Sequence, residues 1–138
     1  MAKVKISPKL GKQIRDASLD AIARDMLRRG LRVESAAKVR VSGHPKRVDT
    51  GRLRDSIKTV MVRKRDAPGA RIGTNVKYAL WVHNGTGIYG PTGSRIRPRT
   101  KSVLRFRPRG SSSYVFAKSV KGMRPNPFLK DALVAARG

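Results

Sequence analysis

The chain has 138 residues, the length of one ordinary domain, and sets 33 Lys and Arg against eight Asp and Glu, a formal charge of +25. That excess repels itself and points to a polyanion or an acidic protein surface as neighbour. The absence of Cys excludes disulfides and thiolate metal sites. With two His and eight acids, little material remains for catalysis.

In chain order, Ser7-Pro8 is a helix start: Ser caps free N–H groups and Pro fits the first turn. Leu10, Ile14, Ala17 and Ala21 follow at helical spacing, with Leu19, Ile22 and Met26 on a neighbouring stripe. Arg28 and Arg29 suit the negative end of the helix dipole and Gly30 ends the helix, so we expect it over about residues 8–29. Residues 31–41 fit either a continued helix or an extended link. Gly43-His44-Pro45 is a loop, and Asp49 or Thr50 caps a short helical turn through Leu53 and Ile57. Residues 57–64 read as a strand, 66–69 as a turn and 70–76 as the returning strand of a hairpin. Tyr78 to His83 is the most apolar stretch, short enough to be a buried strand or a short helix. It falls far short of the roughly 20 residues of a membrane span. The charged N-terminus has no apolar signal core, so nothing points to secretion.

The charge is unevenly spread. Residues 85–124 hold ten cations and no acid, and no acid occurs between Asp66 and Asp131. Within this stretch, Arg95, Arg97, Arg99, Lys101, Arg105, Arg107 and Arg109 occupy odd positions, while Ile96, Leu104 and Phe106 occupy even ones. In extended chain the two sets face opposite ways, giving a row of cations backed by a partly apolar face. Pro98 and Pro108 restrict the segment to an edge or an arm. Residues 114–120 pair back as a second hairpin. Pro127 then opens a last helix, with Phe128, Leu129, Ala132 and Leu133 on one side. Helix, hairpin, apolar segment, hairpin, helix makes an α+β class. We read a long N-terminal helix and a short C-terminal helix packed on an antiparallel sheet of two hairpins. The whole is one domain over residues 1–138, with 85–113 as a projecting basic loop or arm.

Several motifs have bland readings. Gly85-Thr86-Gly87-Ile88-Tyr89-Gly90 matches G-x-G-x-x-G, but no helix start and no acid follow, so it reads as a flexible loop. Asp49-Thr50-Gly51 matches the aspartic-protease triplet, yet Arg47, Arg52 and Arg54 would hold that carboxyl ionised, which suits a cap or an ion pair. His44 and His83 have no partners at metal-ligand spacing. Asn84-Gly85-Thr86 matches a glycosylation acceptor by chance. No metal or cofactor site emerges. The acid-free cation row is the one feature beyond the ordinary. With only Phe106 inside it, it suits phosphate-backbone or acidic-protein contact rather than base stacking.

Particular strings carry a resemblance. Val48-Asp49-Thr50-Gly51-Arg52-Leu53-Arg54-Asp55-Ser56-Ile57 resembles a signature following the first helix in the gp-ten-like tail-completion, or neck, proteins of long-tailed (siphovirus-type) bacteriophages. Ile72 to Thr86, including Tyr78, Trp81 and Gly85, resembles that family's second block, although His83-Asn84 stands where the family often has Glu and an aromatic residue. Leu104 to Phe106, Val115 to Gly122 and Asn126-Pro127-Phe128-Leu129 resemble its C-terminal blocks. The resemblance implies a virion protein without enzymatic activity, assembled as a sixfold ring of copies of itself between the head-closure or connector protein and the tail-terminator or tail-tube protein. Non-specific contact with packaged DNA is compatible with it, and no membrane is involved. Tyr78, Trp81, Phe128 and Leu129 are expected in the core, Gly51 and Gly73 at tight backbone passages, and Pro127 at the last helix start. The alternative on charge alone is a small nucleic-acid-binding protein of ribosomal or chromatin type.

Overall fold

Ser7 Oγ accepts the backbone N–H of Leu10 at 3.3 Å, and Pro8 sits in the first turn, so helix α1 (Pro8–Ser42) starts where its cap residues set it. The computed structural model describes residues 7–43, 51–64, 67–108 and 110–137. Contacts divide the chain into two compact units, residues 1–75 with 129–138, and residues 76–128.

In the first unit, α1 runs through Gly30 instead of ending there, for 35 residues in all. Gly30 serves another purpose. The helix crosses an antiparallel hairpin, β1 (Lys58–Lys64) with β2 (Ala67–Gly73), and Gly30 is buried at the crossing. A Cβ on Gly30 would lie 2.6 Å from Thr59 Cγ2 and 3.1 Å from Ala70 Cβ. Thr59 Oγ1 donates to the Gly30 carbonyl at 3.1 Å, and the Thr59 backbone N–H donates to Glu34 Oε2 at 2.8 Å. The residues left ambiguous at 31–41 are helical because Val33, Ala37 and Val41, spaced by four, are buried.

The hairpin pairs Lys58 with Gly73 through to Lys64 with Ala67. Pro68 and Gly69 therefore lie within β2, not in a turn, and β2 stops at Gly73 instead of 76. Pro68 is tolerated because each strand of a two-stranded sheet is an edge. Gly73 has open space where a side chain would go, so it marks no tight passage. Helix α2 (Arg52–Ser56) takes Gly51 as its N-cap, in the left-handed region at φ 75°; Asp49 and Thr50, expected as caps, lie outside the described residues. Leu53 and Ile57 are buried, and Ser56 Oγ sits 2.6 Å from Thr74 Oγ1 and 2.7 Å from the Leu53 carbonyl.

The second unit contains helix α3 (Ala79–Asn84), strand β3 (Leu104–Phe106) and strand β4 (Val115–Ala117). Tyr78 to His83 thus resolves mostly as helix. Ala79 and Val82, three apart, are buried; Trp81 is 59% exposed and Tyr78 is exposed as well, so neither forms the expected core. A strand would have put Tyr78, Leu80 and Val82 on one face; helical twist turns Leu80 and Trp81 outward. Phe128 is buried as expected, with the His83 ring edge-on at 5.6 Å, and Leu129 is half-buried. Helix α4 (Phe128–Ala135) follows directly after Pro127 and buries Ala132. The architecture is α+β, with a long N-terminal helix, a short C-terminal helix and two antiparallel hairpins; each hairpin is a separate two-stranded sheet.

Two predictions follow from the crossing. Ala is a better helix former than Gly by about 1 kcal/mol, but overpacking at a filled contact costs roughly 1–3 kcal/mol. Thr59 cannot swing its methyl away without losing the bond to the Gly30 carbonyl. Gly30→Ala should lower the melting temperature, and adding Thr59→Ser, which removes the methyl and keeps the hydroxyl, should restore it. Glu34 also accepts from Lys38 Nζ at 2.6 Å. That bond is the largest influence holding its carboxyl below the ordinary value of 4.5, with the Thr59 bonds adding to it and burial opposing. Its folded-state pKa lies below the unfolded one, so its stabilisation is complete above pH 4.5 and is lost as pH falls through the folded value. Acid denaturation followed by circular dichroism should show a loss below pH 4.5 that is smaller in Glu34→Gln.

Candidate functional site

All eight acids of the chain lie outside residues 76–128, which carry eleven cations. The second unit has no charge of its own with which to neutralise them. Its structure determines how those cations are presented.

The alternating row over 95–109 does not form one strand. Ile96 pairs with Val120 through two backbone bonds of 2.9 and 3.0 Å. Residues 97–103 then bend without strand pairing, starting next to Pro98, which has no N–H to donate, and pairing resumes at β3. Arg95, Arg97, Arg99, Lys101, Arg105 and Arg107 are all exposed, and Arg109 lies outside the described residues. In β3–β4, Leu104 pairs with Ala117, Arg105 with Phe116 and Phe106 with Val115. The two-residue period puts Arg105 and Phe116 on one face, and Leu104, Phe106, Val115 and Ala117 on the other.

Several of these cations are held in place. Arg105 lies over the Tyr114 ring, 3.9 Å from its centre, and Arg107 lies 5.9 Å from the same ring. Arg107 Nε also donates to the Ser111 carbonyl at 2.9 Å, and Arg95 Nε to Ser119 Oγ at 3.0 Å. An exposed cation–π contact is worth about 0.5–1 kcal/mol, enough to orient a guanidinium without neutralising it. Arg124 lies 5.5 Å from the Tyr89 ring. Tyr114 and Tyr89 were missed in the sequence because neither lies inside the cation row. The signal available was register: if 105 faces 116, then 107 falls opposite 114.

The glycine-rich segment at 85–90 is a packed crossing rather than the expected flexible loop. Gly87–Tyr89 forms a single 3-10 turn. Thr86 N–H donates to the Met123 carbonyl at 2.8 Å, Ile88 N–H to the Lys121 carbonyl at 2.9 Å, and Met123 N–H to Thr86 Oγ1 at 2.9 Å. Gly87 and Gly122 both have positive φ where the two backbones meet; a Cβ on Gly87 would collide with the Lys121 carbonyl, and one on Gly122 with that of Thr86. This crossing ties the start of the basic segment to its end. Gly85 is buried beside it, where a Cβ would sit 2.9 Å from the carbonyls of Met123 and Tyr89.

Among the described residues, no group of three or more His, Asp or Glu is placed to hold a metal ion, and no helix is long and apolar enough to cross a membrane. Asp55, in the signature string, pairs with Arg54 Nε at 2.8 Å; that bond draws its carboxyl below the ordinary range in an exposed position. The arrangement offers binding chemistry: oriented guanidinium groups beside exposed aromatic and aliphatic side chains.

A family model described as "Bacteriophage HK97-gp10, putative tail-component" matches residues 5–85. The match runs from α1 through the first hairpin to the end of α3. No curated protein and no solved structure matches the chain.

The crossing makes a prediction. Gly122→Ala forces a side chain into the left-handed region, at about 1–3 kcal/mol, and into the Thr86 carbonyl. Hydrogen exchange should speed up at the amides of Thr86, Ile88 and Met123 in that variant, while the Thr59 amide keeps its protection.

Proposed function

The chain belongs to the HK97-gp10-like family of bacteriophage tail components, and from that premise we propose that it is a structural virion protein at the head–tail junction. In this reading, copies form a sixfold ring that joins the tail tube to the head connector. Its neighbours are further copies of itself, a head-closure or connector protein on one side and a tail-terminator or tail-tube protein on the other. It acts by binding and carries out no reaction. One observation carries the reading beyond the family: an acid-free unit of eleven cations, among which the exposed Arg95, Arg105 and Arg107 are held on the surface by Ser119, Tyr114 and the Ser111 carbonyl. A ring subunit needs such a surface for a neighbour of opposite charge.

The same surface supports a second reading, non-specific contact with DNA. Phosphate contact by Z cations gives an affinity that falls with salt at a logarithmic slope of about −0.9Z. The two readings separate on one variant. Replacing Arg95, Arg97, Arg99, Arg105 and Arg107 by Ser removes exposed side chains and should leave the circular dichroism spectrum and melting temperature nearly unchanged. In a phage carrying this variant, heads and tails should accumulate unjoined. Normal yields of joined particles would reduce the cations to solubilising surface. Loss of DNA retention in the purified protein, with joining intact, would favour the second reading.

A further inference from the structure

The first unit has a groove of its own, beside the point where α1 crosses β2. Met26 and Val33 of α1, Ala70 and Ile72 of β2 and Leu133 of α4 line it, and its volume is about 650 Å³. Leu133 is 45% exposed, a large apolar side chain left uncovered.

Four cations share this groove: Arg28, Arg29 and Arg32 of α1, and Arg137 just past the end of α4. Asp25 is the one acid in its lining, and it is bonded to Arg29 at 2.8 Å. Among the described residues, Arg28, Arg32 and Arg137 make no ion pair. At about 100° per residue, Met26 and Val33 stand side by side on α1, Arg29 follows about 40° round from Val33, and Arg32 and Arg28 lie further round in the same sense. One flank of α1 therefore passes from apolar to cationic, with the unpaired guanidinium groups at the outer edge of the groove.

We propose that this groove docks an acidic amphipathic segment of a different protein. The segment's apolar side chains settle on Val33, Ile72 and Leu133, and its carboxylates meet Arg28, Arg32 and Arg137. The charges select this occupant. A guanidinium takes a carboxylate through two parallel bonds, so three unpaired ones beside an apolar lining suit carboxylates beside apolar side chains. The phosphate backbone of DNA would satisfy the arginines and leave Val33, Ile72 and Leu133 against water. A second copy brings 33 cations with eight acids, and Asp25, Glu34, Asp55 and Asp131 of those acids are already paired within the chain. The contact lies in the first unit, outside the cation row, so it stands or falls independently of the head–tail reading.

The probe is a fluorescent amphipathic helical peptide with a Leu stripe flanked by Glu, titrated with the full chain at moderate salt, where diffuse attraction to the chain's charge is screened. Two control peptides carry Gln for Glu, or Ser for Leu. Both controls should bind at least about tenfold more weakly than the parent peptide. Arg28→Gln with Arg32→Gln and Arg137→Gln should weaken parent binding by at least about tenfold, and Leu133→Ser should weaken it too. Arg95→Gln with Arg97→Gln and Arg99→Gln, an equal loss of charge in the second unit, should leave it nearly unchanged. All seven positions are exposed, so circular dichroism should show each variant folded. Equal binding of the Ser-for-Leu peptide, or equal losses in the two arginine variants, would reduce the attraction to the chain's overall charge and overturn the groove. Displacement of the peptide by duplex DNA, with DNA affinity falling only in the groove variant, would overturn it in favour of nucleic acid. An oligomer of the full chain that Leu133→Ser dissociates, seen by light scattering, would overturn it in favour of a second copy.

Discussion

A chain with four times as many cations as anions cannot neutralise itself, and the fold responds by sorting its charges. Every acid sits in residues 1–75 or 129–138. There three of the acids have long-side-chain partners: Asp25 pairs with Arg29, Glu34 with Lys38, and Asp131 with Arg40 at 3.9 Å. The exposed pairs among them, Asp25–Arg29 and Asp131–Arg40, contribute about 0–1 kcal/mol each, so their value is positional more than energetic. Residues 76–128 receive no acid. Arg105 and Arg107 share the face of Tyr114, and Arg124 lies beside Tyr89.

The first unit turns on one crossing. Thr59 bonds α1 twice, through its hydroxyl to the Gly30 carbonyl and through its N–H to Glu34. These bonds satisfy polar groups of an edge strand that would otherwise face the helix unpaired. They need the close approach that only a missing Cβ allows. The crossing fixes which side of α1 is buried, and so which side carries Leu10 and Ile14 outward.

Where local rules sufficed, the sequence was legible. Ser7-Pro8 announced the start of α1, the β-branched run after Ile57 announced the first hairpin, and Pro127-Phe128 announced α4. Three of the errors share a cause, a long-range partner. Gly30 looks like a helix stop because glycine usually is one; its true reason is Thr59, 29 residues away. Gly87 looks like a flexible loop because its constraint is Lys121. The cation row looks like one strand because alternation is local, while pairing depends on Val120 and on β4. Tyr78 and Trp81 look like core because they are large and apolar, yet a stretch of six residues does not reveal its period, and helical twist put Ala79 and Val82 inside. The cationic character of the candidate site was plain from composition. Ile96, Leu104 and Phe106 already showed as a partly apolar face; the stacking of Arg105 on Tyr114 did not, because hairpin register makes it, and neither did Val120, which a bridge brings to Ile96.

The central claim is that the acid-free unit is completed by a neighbour within a particle. Electron cryomicroscopy of the head–tail junction in assembled virions tests it most directly. The account predicts density for several copies of this chain at the junction, with Arg105, Arg107 and the β3–β4 hairpin buried against protein or DNA. The same hairpin facing open solvent in the finished particle would contradict it.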